Sequence, residues 1–80
     1  MELKWMKKAN YLQREIKFDS QTALAKFILK VAEQSDKIKH HCDMEIYKAT
    51  TLKLKLTTHD EENKITDKDY ALAKWIDNLK

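Results

Sequence analysis

The ten residues TTLKLKLTTH, at positions 50–59, alternate between apolar and polar side chains. Successive side chains of an extended segment point to opposite faces, so this pattern predicts a β-strand with one apolar and one polar face. The two faces comprise Leu52, Leu54 and Leu56, and Lys53, Lys55 and Thr57. Such a strand belongs to a sheet that is covered on one side only. The remaining chain must therefore supply a layer that covers these leucines.

A first β-hairpin is predicted at residues 3–20, LKWMKKANYLQREIKFDS, with its turn at Ala9–Asn10. The second half of this segment also alternates, although Arg14 interrupts its apolar side. The two sides comprise Leu12, Ile16 and Phe18, and Gln13, Glu15 and Lys17. This hairpin provides two further strands for the sheet.

A second hairpin is predicted to join the short segment DMEIYK, residues 43–48, to the leucine strand. Met44 and Ile46 share one face of this short strand, and the turn is expected near Lys48–Thr50. The chain contains no Gly and no Pro, so its turns need other residues that tolerate left-handed backbone conformations. Asn and Asp do so most readily, which makes Asn10 and Asn63 the expected turn residues.

Two amphipathic helices are predicted. The first helix spans residues 18–38, FDSQTALAKFILKVAEQSDKI, and is capped by Asp19 or Ser20. The second helix spans residues 65–80, ITDKDYALAKWIDNLK, and begins with a capping-box pattern. The capping box pairs Thr66 with Asp69, and the apolar stripes comprise Leu24, Phe27, Ile28 and Val31 in the first helix and Leu72, Trp75, Ile76 and Leu79 in the second. The order β-β-α-β-β-α predicts an α+β fold, a four-stranded antiparallel sheet with helices packed on one face.

The 80 residues are enough for a single domain, placed at 1–80, with a thin hydrophobic core. Assembly into oligomers would bury more apolar area. Cys42 is the only cysteine, which excludes an internal disulfide and indicates a reducing compartment such as the cytosol. No apolar run approaches the roughly 20 residues that span a bilayer.

The charge pattern argues against nucleic-acid binding as the main role. The net charge is +3, but the basic residues are lysines spread among acidic residues, and Arg14 is the only arginine. Proteins that read nucleic acids usually cluster such residues on one face. The lack of Gly also excludes Gly-rich phosphate-binding loops.

The histidines raise the functional question. SDKIKHHCDMEIYK, residues 35–48, places His40 and His41 directly before Cys42, and His59 ends the leucine strand. These residues are open to four interpretations: surface residues, a metal site, an activated thiolate, or an acid–base site. Adjacent residues in an extended chain point apart, and no Cys or His pair has the spacing of a structural zinc site. We therefore expect no metal site, and no oxyanion-hole feature accompanies the thiol.

An acid–base site needs carboxylates that orient the imidazoles, which exchange protons near neutral pH. Asp36 lies one helical turn before His40, His59 ends a strand, and Asp69 lies in the first turn of the last helix. A helix end, a strand end and a helix start can meet at one rim of such a sandwich. A small pocket is predicted there.

DKIKHHCDMEIY and LKLKLTTHDEENKITDKDYALAKWI together resemble the pterin-4a-carbinolamine dehydratases, also known as the dimerisation cofactor of a homeodomain transcription factor. The family pattern has an acidic residue, three others, His-His-Pro or a variant, and an aromatic residue. A strand ending in Thr-His follows, and then an Asp at the start of the last helix. The matching residues are Asp36, His40, His41, Cys42, Tyr47, Thr58, His59, Asp69, Leu72 and Ala73. The resemblance covers residues 5–79, with Trp5 in the first strand.

Four departures accompany the resemblance. Cys42 stands where most members have Pro, and Lys68 stands where an Arg is common, which keeps the charge but loses the bidentate fork. The segment between His59 and Asp69 lacks the common Gly. This chain begins almost at its first strand, so the helix that most members carry before that strand is expected to be missing.

The resemblance implies dehydration of a 4a-hydroxytetrahydropterin to the quinonoid dihydropterin, in the recycling of tetrahydrobiopterin. Histidine acid–base catalysis would need no metal and no cofactor. His40 and His59 would be the acid–base pair, with Asp69 positioning His59, while His41 would bind and orient the pterin. The residues implied to bind substrate are Asp36, which would contact the pterin or fix an imidazole tautomer, together with Cys42, Thr58, Lys68 and Trp5.

The alternative that the resemblance implies is a protein-interaction scaffold, a transcriptional coactivator with little catalysis. Its partner would be a transcription factor that docks on the helix face between Gln21 and Gln34, a face that otherwise serves self-assembly. A homodimer or homotetramer is expected in either case, in the cytoplasm and, for a coactivator, also in the nucleus. The preferred pterin side chain and the choice between dimer and tetramer stay open.

Overall fold

The computed structural model describes residues 5–58 and 64–79. Within these residues the elements follow the predicted order β-β-α-β-β-α. They are β1 (Met6–Lys7), β2 (Leu12–Lys17), α1 (Gln21–Ile38), β3 (Asp43–Tyr47), β4 (Thr51–Leu56) and α2 (Asp67–Leu79). The predicted α+β fold class is confirmed.

The leucine-rich strand β4 lies inside the sheet. The strands form one antiparallel sheet in the order β1-β2-β4-β3, in which Leu12 pairs with Leu56 and Ile16 pairs with Leu52. Because β4 has a neighbour on each side and helices above it, its three leucines are 0% exposed. The alternation in the sequence thus correctly predicted a strand with one covered face.

The first hairpin turns where the sequence predicted. The backbone N–H of Lys8 donates to the carbonyl oxygen of Tyr11 at 2.8 Å, which closes the turn around Ala9–Asn10. Arg14 is the polar interruption on the apolar face of β2. Its guanidinium donates to Oδ1 of Asp77 in α2, so it forms an ion pair with a carboxylate of the helix layer. An ion pair thus allows a cation to lie on the core-facing side of β2.

The expected turn chemistry was wrong in one respect. Asn10 does not adopt a left-handed conformation, whereas Lys48 (φ 53°) and Ala49 (φ 65°) do, in the turn between β3 and β4. Consecutive left-handed residues match the right-handed twist of the strands that they join, so the hairpin geometry outweighs the local preference of these residues. Asn63, the other expected turn residue, lies outside the described residues.

Helix α1 is capped by Ser20, the second of the two predicted caps. Its hydroxyl oxygen accepts a hydrogen bond from the backbone N–H of Ala23 at 3.0 Å. The face that packs on the sheet comprises Leu24, Phe27, Val31 and Ser35, with Ile28 half-buried beside them. No helix in the described part of the chain is long and apolar enough to span a membrane.

Helix α2 covers the same face of the sheet. Leu72, Ala73 and Ile76 are buried in the core, whereas Trp75 and Leu79, also predicted to lie on the buried stripe, are only partly covered. At the sheet edge, Ile46 of β3 shares the core-facing side with Met44 but is 53% exposed. The two-helix layer leaves this edge of the sheet open.

Candidate active site

The end of α1 places the first histidine. Lys39 adopts a left-handed conformation (φ 58°, ψ 36°), and the backbone N–H groups of Lys39 and His40 both donate to the carbonyl oxygen of Ser35. This type of C-cap reverses the chain immediately after the last helical turn. His40 is therefore turned inward, where it is 9% exposed.

His40 forms a buried pair with Asp69. Its Nε2 lies 2.6 Å from Oδ1 of Asp69, whose side chain is 0% exposed. Asp69 reaches this position because it lies in the first turn of α2, next to the end of β4. With Nε2 engaged by the carboxylate, Nδ1 is the ring nitrogen of His40 that is left for chemistry.

The other oxygen of Asp69 is held by two threonines. Its Oδ2 accepts hydrogen bonds from the hydroxyl of Thr58 at 2.8 Å and from the backbone N–H of Thr66 at 2.9 Å. The second of these bonds is one half of the predicted capping box. The other half is replaced, because the Thr66 hydroxyl lies 2.7 Å from the Thr58 hydroxyl. Thr58, predicted to bind substrate, is only 2% exposed.

The second histidine forms a separate, exposed pair. Nε2 of His41 lies 2.7 Å from Oδ1 of Asp36, and their side chains are 63% and 75% exposed. The adjacent histidines therefore point apart, as the extended chain predicted, and each has its own carboxylate. Solvent screens the His41–Asp36 pair, so it contributes little to stability. Asp36 had been placed one turn before His40, and its observed partner is the neighbouring imidazole.

Cys42 is buried directly after the two histidines. Burial, assisted by the negative charge of Asp43, raises the pKa of the Cys42 thiol to about 12. The thiolate is the nucleophilic form of cysteine, and little of it exists at neutral pH with such a pKa. This disfavours the activated-thiolate interpretation.

The remaining predicted residues lie in three different places. Trp5 is buried at the other end of α2, where its indole N–H donates to Oδ1 of Asp77 at 2.9 Å. Asp77 is eight residues after Asp69, a rise of about 12 Å along a helix, so the structure does not bring Trp5 to the buried pair. Lys68 is exposed in the first turn of α2. His59 lies outside the described residues, so its predicted contact with Asp69 stays a prediction.

The sequence-based site did not include Thr66. The capping-box spacing between Thr66 and Asp69 was the only sequence signal for this residue, and that pattern indicates a helix start rather than a catalytic group. Among residues 5–58 and 64–79, no three His, Cys, Asp or Glu side chains come together in a way that could hold a metal ion. The described site is thus an imidazole–carboxylate pair supported by hydroxyls, an arrangement suited to proton transfer.

Comparison with protein families matches almost the whole chain. The family model described as pterin 4 alpha carbinolamine dehydratase matches residues 1–79. A protein of Prochlorococcus marinus, provisionally named a pterin-4-alpha-carbinolamine dehydratase, is 40% identical over 76 residues, which cover 94% of this chain and 77% of that protein. A protein of Mycobacteroides abscessus with the same provisional name is 36% identical over 73 residues, covering 91% and 76% of the two chains.

Solved structures show the same fold. A transcriptional coactivator/pterin dehydratase from Brucella melitensis superposes with a TM-score of 0.86 at 23% identity, covering 95% of this chain and 81% of that chain. A pterin dehydratase-like protein, identified as a RuBisCO assembly factor in the alpha-carboxysome, gives a TM-score of 0.75 at 18% identity, with coverages of 99% and 89%. The family match over almost the whole chain carries the conclusion that the protein belongs to the pterin-4a-carbinolamine dehydratase family.

Proposed function

We propose that this protein dehydrates 4a-hydroxytetrahydropterin to quinonoid dihydropterin by histidine acid–base catalysis, in the recycling of tetrahydrobiopterin. The observation that carries the proposal is the buried His40–Asp69 pair, 2.6 Å between Nε2 and Oδ1, in a chain of this family. A buried imidazole that is oriented by a carboxylate is the usual arrangement for a group that exchanges protons with a substrate.

The reaction removes water and needs two proton transfers. The C4a–O bond breaks as a proton reaches the leaving hydroxyl, and a ring nitrogen of the pterin loses its proton to form the new double bond. Asp69 occupies Nε2 of His40, so Nδ1 is the atom that would give or take one of these protons. A well-placed acid or base of this kind contributes about 10²–10⁴-fold to the rate.

The second proton transfer is assigned to His59, which ends the leucine strand in the sequence. His41, exposed and held by Asp36, would bind and orient the pterin at the mouth of the site. Lys68 directly precedes Asp69, and Cys42 lies two residues after His40. Both would bind the substrate. Cys42 would act there as a neutral thiol, since its pKa is raised to about 12 by burial and by Asp43.

An in-situ assay tests the proposal. The 4a-hydroxytetrahydropterin is generated enzymatically and its dehydration is followed by absorbance, with wild type, His40→Ala and His59→Ala compared. Each variant should lose at least about 100-fold in kcat, because each removes one acid or base. Lys17→Ala, a change at an exposed lysine of β2, is the matched control and should keep wild-type activity.

Two results would contradict different parts of the proposal. A wild-type protein that is no faster than buffer would refute the dehydratase function itself. An active wild type together with a fully active His40→Ala variant would leave the reaction standing but refute the role of His40.

A second function, a scaffold that binds another protein, is favoured by a specific feature of α1. Leu29, on the helix face between Gln21 and Gln34, is 60% exposed. The two structural relatives are named a coactivator and an assembly factor, which adds a reason to measure oligomer size and partner binding. A strict monomer in solution would count against assembly through this helix face.

A further inference from the structure

We infer that Thr66 and Thr58 form a one-way hydrogen-bond relay that positions Asp69 and, through it, His40. Both threonines would then be positioning residues, and Thr58 would not bind the substrate. The kinetic consequence of the relay rests on the proposed dehydratase function, whereas its structural consequence, the tautomer of His40, does not.

The direction of the relay follows from the number of protons available. A threonine hydroxyl has one hydrogen to donate, and the Thr58 hydroxyl donates it to Oδ2 of Asp69 at 2.8 Å. The contact of 2.7 Å between the Thr58 and Thr66 hydroxyls must then be donated by Thr66. The hydrogen bonds therefore run from Thr66 to Thr58 and on to Asp69.

Thr66 holds the carboxylate a second time through its backbone. Its N–H donates to the same Oδ2 at 2.9 Å, so both hydrogen bonds to this oxygen depend on Thr66, one directly and one through Thr58. Two donors on Oδ2 stop the carboxylate from rotating and keep this oxygen an acceptor. The remaining oxygen, Oδ1, is left for Nε2 of His40 at 2.6 Å.

Burial strengthens the hydrogen bonds of this relay. Thr58 is 2% exposed and Asp69 is 0% exposed, so the hydrogen bond between them is buried, whereas the two bonds made by Thr66 are partly buried. Hydrogen bonds shielded from water are strengthened and polarise one another along a chain. The relay also joins three separate parts of the fold, since Thr58 follows β4, Thr66 precedes α2 and His40 follows α1. It thereby fixes where the imidazole lies relative to the sheet.

The consequence for His40 is a defined tautomer. With Oδ1 as acceptor, Nε2 carries the hydrogen, and in the neutral form of the ring Nδ1 is then an acceptor. Without the two hydroxyls, Oδ2 keeps only the backbone N–H of Thr66 as a donor, so the carboxylate is held less firmly against Nε2 and the tautomer is selected less strictly. The proton-transfer step would suffer while the affinity for the pterin would not.

Ring-nitrogen NMR and steady-state kinetics together test the relay. Thr58→Val and Thr66→Val keep the side-chain shape and remove only the hydroxyls, and Thr66→Ser restores a hydroxyl. Thr57→Val is the matched control, because Thr57 donates to the carbonyl oxygen of Asn10 and is not part of the relay. ¹⁵N shifts of the His40 ring report the tautomer directly.

The wild-type protein should show the Nε2–H tautomer of His40. Thr58→Val and Thr66→Val should shift the ring signals toward a mixture of tautomers and lower kcat by about 10-fold, which is less than the 10²–10⁴-fold that an acid or base itself contributes. KM should stay within about twofold of wild type, and Thr66→Ser and Thr57→Val should match wild type in both measurements.

Three results would overturn the inference. A wild-type His40 in the Nδ1–H form refutes the relay without any variant, so the test survives even if the valine variants do not fold. Unchanged ring shifts and kcat in both valine variants refute it as well. A Thr58→Val variant with raised KM and unchanged kcat would make Thr58 a substrate-binding residue. An inactive wild type that shows the expected tautomer and variant shifts would refute the dehydratase function and keep the relay.

Discussion

Raising the pH should destabilise this protein through Cys42, the buried thiol beside the histidine pair. Burial and the charge of Asp43 raise the pKa of Cys42 from 9.0 to about 12. A group with a raised folded-state pKa gives its full stability below its unfolded pKa and loses it as the pH rises through the folded pKa. For Cys42 the loss therefore begins near pH 9 and is complete near pH 12.

The size of the effect follows from the shift. A rise of about three pKa units corresponds to about 4 kcal/mol when the loss is complete. The linkage relation places about 1 kcal/mol of this at pH 10 and almost none at pH 8. A domain of this size is stable by only about 5–10 kcal/mol, so the change between pH 8 and pH 10 is measurable.

Urea unfolding at pH 8, 9 and 10 measures this loss of stability, with Cys42→Ala as the reference. Lysines and tyrosines titrate in both proteins, so the difference between their free energies of unfolding isolates the thiol. The advantage of wild type over Cys42→Ala should shrink by about 1 kcal/mol from pH 8 to pH 10. A difference that stays constant across this range would refute the reasoning.

Thiol reactivity gives an independent check of the same cause. At pH 8 the folded protein should hold about 1,000-fold less Cys42 thiolate than the unfolded chain, given the rise of its pKa to about 12. A thiol-specific reagent should therefore react far more slowly with folded protein than in urea. Similar rates in the two states would show that the thiol is not protected by burial.

Three further changes test other parts of the fold by urea unfolding. Asp77→Asn removes the anion paired with Arg14 and should lower the free energy of unfolding by about 2–3 kcal/mol; a loss below about 1 kcal/mol would mean that solvent screens the pair. Ala49→Gly relieves a left-handed φ of 65° and should raise the free energy of unfolding by about 1 kcal/mol. Ala25→Gly, inside α1, should lower the free energy of unfolding by a similar amount. Ser35→Ala removes a buried hydroxyl that has no partner in the described part of the chain, and should raise the free energy of unfolding by about 1 kcal/mol. A lower free energy of unfolding for Ser35→Ala would show that the Ser35 hydroxyl makes a stabilising contact.

Most of the fold could be predicted because its signals are local. Alternation marked β4, a narrow apolar stripe marked each helix, and the capping residues marked the helix starts, since each pattern depends only on neighbouring side chains. The turn residues could not be predicted in the same way. Lys48 and Ala49 adopt left-handed conformations because two twisted strands must be joined there, which is a property of the pair of strands rather than of either residue.

The site was predicted in part for the same reason. Adjacent positions predicted that His40 and His41 point apart, and the search for carboxylates that could orient an imidazole named Asp36 and Asp69. The pairing of His40 with Asp69 depends on contacts at longer range, because the two residues are separated by 29 positions. Local spacing placed Asp36 near His40, whereas in the structure it contacts His41.

The sequence by itself determined the elements, their order and the residue types available for proton transfer, because periodicity, capping and composition act over a few residues. Only the tertiary structure decided which groups meet. The left-handed turn at Lys39 directs His40 inward, and the meeting of the end of β4 with the start of α2 brings Thr58 and Thr66 to Asp69. Such contacts arise from the packing of three distant segments, and no window of the sequence contains them all.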